Sequence, residues 1–307
     1  MSYRELAPAQ INYDEQLTED ERLCIEKSVA ALVDRAARNT ARRRTMHDLQ
    51  AKARAAMNKS LLEVIKPGPE VPHFDASEIQ PEVTDRKIDR SGPLFDDKDL
   101  NVEQILKIGG VASKIFAKPF HYDWKWSNTG GTHQLNYAAD KGGFAGIDAL
   151  VDTGVAHIKA HAGVGVALNT QTLNSTMAVT VTGRALRWTT HKWTALGSIW
   201  NGHAVTEGGV ELTAFVDGIP LVNTDLNAGK LWRRRCSDGE IDGYEDEDPG
   251  WAVGEPIELT WTMVPGRTYT FNIGAWVYVE CDDGAWGSDS WAWAHLLMDV
   301  GALTLFK

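Results

Sequence analysis

The sequence has few cysteines and no long apolar segment. Its 307 residues include three cysteines, Cys24, Cys236 and Cys281, which are too few for a disulfide scaffold and do not match a zinc motif. No apolar run reaches the roughly 18 residues that a transmembrane helix requires. The first residues, MSYRELAPAQINYDEQ, lack the basic and apolar regions of a secretory signal. The location stays open between the cytoplasm and export by a non-classical route.

Basic residues are fewer than acidic ones: the chain has 31 Lys and Arg against 42 Asp and Glu, and its formal net charge is −11. Nucleic-acid binding by the chain as a whole is therefore not expected, because it requires cations to neutralise phosphates. One local exception is the basic run Arg35, Arg38, Arg42, Arg43, Arg44, Lys52 and Arg54. Such a run can contact phosphates or lipid headgroups, but a solvated helix face, or pairing with the acidic remainder, is the favoured interpretation.

Tryptophan is absent from the first 123 residues, and all twelve lie between Trp124 and Trp293. This composition change predicts three regions. Residues 1–66 form a helical arm, residues 67–118 a proline-rich connector with short helices, and residues 119–307 a β-sandwich domain.

The helical arm begins with a capping box, Thr18 followed by Glu21. One helix or a helical hairpin is expected up to about Lys66. Its second half carries an amphipathic stripe, Met46, Leu49, Ala53, Met57, Leu61 and Val64. A narrow apolar helix needs a partner surface, which predicts a homo-oligomer or larger assembly formed through this arm.

The connector holds five prolines between Pro67 and Pro93, which exclude a continuous helix or central strand. Short helices are predicted after Asn101, a capping residue, and near residues 111–118.

Beyond Trp124 the apolar residues alternate with period two, as in TMAVTVTG, VELTAFVDG and IELTWTMVPG. These runs end at turn pairs such as Asp217-Gly218 and have no helical crossovers between them. The pattern predicts an antiparallel, jelly-roll-like and lectin-like β-sandwich. His157 and His161 fall in such a strand, where their rings would lie about 13 Å apart. They are therefore interpreted as polar residues on a solvated strand face rather than as ligands of one metal.

The segment CDDGAWGSDSWAWAH, residues 281–295, combines tryptophans with aspartates. If residues 268–281 and 288–298 form a hairpin, Trp276 faces Trp293 and Tyr278 faces Trp291. The four rings, edged by His295, would form an aromatic platform, while Ile273, Val277 and their neighbours line the interior. An exposed platform predicts a carbohydrate or surface ligand. Alternatively, the arm or another subunit covers it, or the rings fill the core.

Acidic residues concentrate in two predicted loops, which suits calcium. The candidate ligands are Asp238, Asp242, Asp246, Asp248, Asp282, Asp283 and Asp289. If the loops are neighbours, Cys236 and Cys281 lie within about 12 Å of each other, roughly twice the bridging distance. Whether the two cysteines are bonded stays open.

The segment EIDGYE, residues 240–245, resembles the E-x-D-x-x-E signature of laminarinase-like glycoside hydrolases. The resemblance implies a retaining hydrolase that uses Glu240, Asp242 and Glu245, and a bulge would be needed to bring Glu245 onto the face of the other two. The favoured function is nonetheless a non-catalytic binding or assembly protein, with hydrolysis as the alternative.

Overall fold

The computed structural model describes residues 8–62, 113–130, 133–152, 154–196, 202–221, 228–237, 241–246, 257–282 and 290–306. These residues form one long helix, α1 (Glu19–Leu62), and fourteen strands. In chain order the strands are β1 (Gln10–Tyr13), β2 (Ser113–Ala117), β3 (Tyr122–Gly130), β4 (His133–Ala139), β5 (Phe144–Val151), β6 (Val155–Asn169), β7 (Met177–Leu196), β8 (His203–Val216), β9 (Ile219–Pro220), β10 (Ala228–Ser237), β11 (Ile241–Asp246), β12 (Ile257–Met263), β13 (Thr268–Asp282) and β14 (Trp291–Phe306).

The strands form two antiparallel sheets of seven strands each. Sheet A has the order β1-β3-β6-β13-β8-β10, with β9 paired to β8. Sheet B has the order β11-β7-β14-β5-β4, with β12 paired to β7 and β2 to β14. The predicted antiparallel sandwich with an N-terminal helix is confirmed.

Alternation along each strand sets which side chains lie between the sheets. In β13 the odd-numbered aliphatic residues, such as Ile273 and Val277, are buried in the interior together with Ala294 and Leu296 of β14. The even-numbered residues of β13 lie on the outer face of sheet A, away from sheet B. These are buried too, from Thr270 to Tyr278, because α1 covers that face.

Helix α1 begins at the predicted capping box. The Thr18 backbone N–H donates to the Glu21 carboxylate at 3.0 Å, and the Glu21 N–H donates back to Thr18 Oγ1 at 3.3 Å. The apolar side of its first half packs on rings and aliphatic groups of sheet A. This cluster, the α1 cluster, consists of Ile25, Val29, Leu32, Val33, Ala36, Tyr122, Trp124, Trp126, Ala167 and Phe215.

α1 runs along β13 in the same direction. Ser28 Oγ lies 2.6 Å from Thr270 Oγ1 near the start of β13. Fifteen residues later, the Arg43 guanidinium carbon lies 5.2 Å from the ring centre of Tyr278, near the end of that strand. In the described part of the chain, no helix has the length and apolar content of a membrane span.

Two short strands were not predicted. β1 lies in the predicted arm and pairs with β3, with Ile11 opposite Trp124. β2 replaces the short helix predicted near residues 111–118, and its Phe116 lies opposite Leu303 of β14. That helix prediction was wrong, because pairing with a distant strand outweighs the weak local helical pattern. The helix predicted after Asn101 lies outside the described residues.

Candidate functional site

The predicted hairpin between β13 and β14 does not form. β13 pairs with β6 and β8 in sheet A, whereas β14 pairs with β7, β5 and β2 in sheet B. The prediction that the aliphatic faces line the interior is right, but the pairing of Trp276 with Trp293 and of Tyr278 with Trp291 is wrong. The two aromatic pairs consequently lie on opposite outer faces of the sandwich, and a single four-ring platform does not exist.

On sheet A, Trp276 and Tyr278 lie under and beside α1. Trp276 stands opposite His161 of β6 on one side and Gly209 of β8 on the other. Both rings are buried. Arg43 of α1 lies over the Tyr278 ring, so the alternative interpretation, in which the arm covers the rings, holds for Tyr278.

On sheet B, Trp291 and Trp293 form a small buried cluster with Leu150. The Trp293 indole N–H donates to the Asp148 carboxylate at 2.6 Å, and its ring stacks on His295 with centres 6.2 Å apart. The His295 Nδ1 lies 3.7 Å from the second oxygen of Asp148. Trp293 is only 8% exposed, so its ring offers little area to a ligand.

The candidate calcium ligands divide among three places. Asp242 and Asp246 belong to β11 in sheet B, Asp282 ends β13 in sheet A, and Asp238, Asp248, Asp283 and Asp289 lie outside the described residues. The described ranges hold no cluster of three or more His, Cys, Asp or Glu that could bind a metal ion. Calcium binding by the two acidic loops stays a prediction.

Cys236 and Cys281 lie near each other, but most of the two acidic loops lies outside the described residues, so the neighbouring-loop prediction stays a prediction. Both residues stand opposite Ala204 of β8, one from each side. Two strand spacings separate their Cα atoms by about 10 Å, too far for a disulfide, and neither forms one.

For the hydrolase-like segment, the described part is β11, which pairs with β7 from Ile241 to Asp246 in a continuous register. Asp242 stands opposite Ala195 and Glu245 opposite Lys192. The bulge that would bring Glu245 onto the face of Asp242 is absent between these two positions. Glu240 lies outside the described residues.

A charged layer that the sequence did not predict lies between α1 and sheet A. Its first group centres on Glu211 of β8, whose carboxylate accepts from His161 Nδ1 at 2.9 Å and from Arg35 of α1 at 3.3 Å. Burial would raise the pKa of Glu211, but the His161 N–H and the Arg35 guanidinium lower it to about 2. Burial lowers the pKa of His161, whereas the Glu211 carboxylate acts in the opposite direction. The predicted solvated face for His157 and His161 was wrong, because both are buried.

The second group centres on Glu207, also on β8, whose side chain is 0% exposed. It forms ion pairs with Arg43 of α1 and Lys230 of β10. Burial opposes ionisation, but these two cations hold the pKa of Glu207 below its ordinary value. Beside them, the Tyr278 hydroxyl donates to Glu280, and burial raises the pKa of that hydroxyl. Of the two interpretations of the basic run, pairing with the acidic remainder holds for Arg35 and Arg43.

Lys159 of β6 lies in the same layer and differs from the other cations. Its Nζ sits 3.5 Å from the ring centre of Trp276, and none of the described carboxylates forms an ion pair with it. Burial lowers the pKa of Lys159 to about 7, with Arg43 and Lys230 acting in the same direction and the two glutamates against it.

Matched spacing in the sequence could have revealed this layer. Glu207 and Glu211 are four strand residues apart, about 13 Å, and Arg35 and Arg43 are eight helix residues apart, about 12 Å. Two cations on a helix and two anions on a strand at equal separations predict a docked helix. Chemically, the layer can hold α1 in place on sheet A through its ion pairs.

No family model and no curated protein matches this chain. Among solved structures, one similar chain is the glycoside hydrolase domain of Endo-D from Streptococcus pneumoniae R6, with a TM-score of 0.18 and 13% identity. Another is the Agl-KA catalytic domain, with a TM-score of 0.14 and 11% identity. The matches span 60% and 62% of this chain but only 22% and 28% of those chains. Likenesses this low carry no argument about function.

Proposed function

We propose that this protein is a non-catalytic assembly subunit that binds a second copy of itself through the projecting half of α1, residues 44–62. The observation that carries the proposal is a change in exposure along one helix. Up to Arg43, α1 is held on sheet A by the α1 cluster and the charged layer. After Arg43 its described side chains are exposed, including Met46 at 53% and Leu49 at 56%.

The exposed apolar side chains continue the docked face of the helix. An α-helix returns to the same face after 18 residues, or five turns. Met46 follows Ser28 by 18 residues, and Ala53 follows Arg35 by 18; Ser28 and Arg35 both bind sheet A. The helix face that packs on the sandwich therefore extends beyond the sandwich. The exposed part of this face requires another apolar surface.

The distribution of charge along the chain favours a second copy of the protein as the partner that supplies this surface. Residues 44–62 hold four Lys or Arg and one Asp, a net charge of +3, so the remainder of the chain carries −11 − 3 = −14. The projecting half of one copy is thus attracted to the body of another.

The direction of α1 fits a two-fold arrangement. The helix points towards the end of sheet A where Asp282 and Ser237 both stand opposite His203. Because the basic helix half and the acidic Asp282 lie at one end of each copy, one two-fold axis brings both complementary pairs together.

Light scattering after size-exclusion chromatography tests this proposal on the full chain. We expect a dimer at micromolar concentration for the wild type and a monomer for Met46→Glu/Leu49→Glu. The matched control is Leu23→Glu, which changes a leucine of the same helix that is also exposed but lies on the docked half; it should remain dimeric. A monomeric wild type, or a dimer that survives the double substitution, would overturn the proposal.

Glycan binding by the aromatic side chains and hydrolysis by the β11 carboxylates stay predictions. Removing residues 1–66 is not a suitable test of assembly, because it would also remove β1 and uncover the α1 cluster.

A further inference from the structure

A cleft lies between β1, at the edge of sheet A, and the docked first half of α1. It encloses about 480 Å³ and is partly open to solvent. β1 contributes Ile11 and Tyr13 to its lining, and α1 contributes Val29, Ala30 and Val33. Clefts of this size hold small organic ligands in many proteins. The cleft is separate from the charged layer and from the projecting half of α1, so a ligand here would not compete with assembly.

The two ends of the cleft carry carboxylates, whereas the wall between them is apolar. At one end the Tyr13 hydroxyl donates to Glu26 at 3.1 Å. Asp34 lines the other end, eight helix residues later, which is about 12 Å along the axis. Between them α1 presents Val29 and Val33, both buried. The described lining includes no lysine, arginine or histidine, so the cleft combines an apolar wall with an anion at each end.

Both carboxylates can accept a ligand cation. The hydroxyl that binds Glu26 is neutral, because burial and the hydrogen bond to Glu26 raise the pKa of Tyr13 to about 12, and a neutral donor does not compensate the negative charge. Asp34 pairs with Arg38 at 2.7 Å, but the two side chains are 57% and 70% exposed. Surface pairs of this kind contribute little, so a ligand ammonium can share Asp34 with Arg38.

We propose that this cleft binds elongated diamines, molecules in which an apolar spacer joins two ammonium groups. An extended chain advances about 3.6 Å for every three bonds, so the nine bonds between the nitrogens of 1,8-diaminooctane span about 11 Å. This length matches the separation of Glu26 and Asp34 along the helix, and it places the methylene groups against Val29 and Val33. Removing the spacer from water supplies most of the affinity, and the two exposed carboxylates select for a cation at each end.

Isothermal titration calorimetry on the full chain at pH 7 and low ionic strength tests the proposal. Spermidine is the matched ligand, because the same nine bonds separate its terminal nitrogens but a third ammonium interrupts the spacer. We expect one 1,8-diaminooctane to bind per chain, at least about fivefold more tightly than spermidine, since the central ammonium would have to leave water beside the valines. Octylamine keeps the apolar chain but carries one cation, and it should bind about threefold more weakly than the diamine.

Three variants locate the site. Ala30 is exposed and lines the cleft, so Ala30→Trp should fill the cleft and abolish binding while the melting temperature stays close to that of the wild type. Asp34→Asn should reduce the affinity for the diamine to that for octylamine. Asp20→Asn, which changes an exposed acid of the same helix outside the cleft, should leave it unchanged.

The ligand comparison on the wild type needs no substitution, so it decides the proposal even where a variant folds poorly. No binding of the diamine at millimolar concentration, or spermidine binding as tightly as the diamine, would overturn the proposal. Full affinity in Ala30→Trp, or equal losses for Asp20→Asn and Asp34→Asn, would do the same.

Discussion

Glu211 gives the sharpest test of how α1 is held on the sandwich. Its carboxylate is 7% exposed and binds both His161 and Arg35. His161 and Arg35 lower the pKa of Glu211 from 4.5 to about 2, which corresponds to about 3 kcal/mol of folding free energy. Glu211→Gln removes the charge but keeps the shape of the side chain, so we expect it to destabilise the protein by about that amount at pH 7.

The pH dependence separates this charge effect from a packing defect. A carboxylate with a depressed pKa in the folded state stabilises the protein fully above its unfolded pKa, and that contribution disappears as the pH falls towards 2. The wild type should therefore lose about 3 kcal/mol between pH 5 and pH 2 that Glu211→Gln does not lose.

Urea denaturation at a series of pH values measures both quantities. Glu258→Gln is the matched control, because Glu258 is an exposed glutamate on strand β12; its stability should follow that of the wild type. If the wild type and Glu211→Gln differ by a constant amount at every pH, the carboxylate does not act through its charge and the reasoning fails.

Two further substitutions probe the same interface. Ile25→Ala removes a side chain that is 0% exposed in the α1 cluster, and it should lower the free energy of unfolding in urea by about 2–4 kcal/mol. Leu23→Ala, two residues earlier and exposed, should lower it by less than about 0.5 kcal/mol. Similar losses for the two variants would mean that α1 is not docked in solution. Lys159→Met removes a group whose pKa of about 7 lies below its unfolded value, so it should raise the melting temperature most below pH 7. The gain should shrink as the pH rises from 7 to 10, because the folded wild type has already released its proton there, and a gain that does not vary with pH would contradict this account.

The sequence predicted the faces of β13 and β14 correctly but not their partners. Alternation of apolar and polar residues predicts which side of a strand is buried, and Ile273 and Leu296 do lie in the interior. The alternation does not predict whether the next strand continues the same sheet or crosses to the other one. Both arrangements bury the same aliphatic residues, and only the aromatic residues on the outer faces distinguish them.

The short strands show a second limit. β1 has four residues and β2 has five, and both are paired with strands far along the chain, such as β14 in the case of β2. Signals this short do not separate a strand from a helix or loop. The start of α1, by contrast, depends on the local contacts of Thr18 and Glu21, and it was predicted correctly.

The charged layer explains why the helix projects where it does. Sliding α1 by one residue moves each guanidinium about 1.5 Å along the axis and turns it by about 100°. Because Arg35 and Arg43 lie at the same separation as Glu211 and Glu207, such a slip would break both ion pairs at once. It would leave Glu207, whose side chain is 0% exposed, with a buried charge compensated by Lys230 alone, and an uncompensated buried charge costs several kcal/mol. An apolar interface tolerates small shifts far better. The two pairs thus fix the axial position of α1, and with it the point after Arg43 at which its apolar face leaves the sandwich.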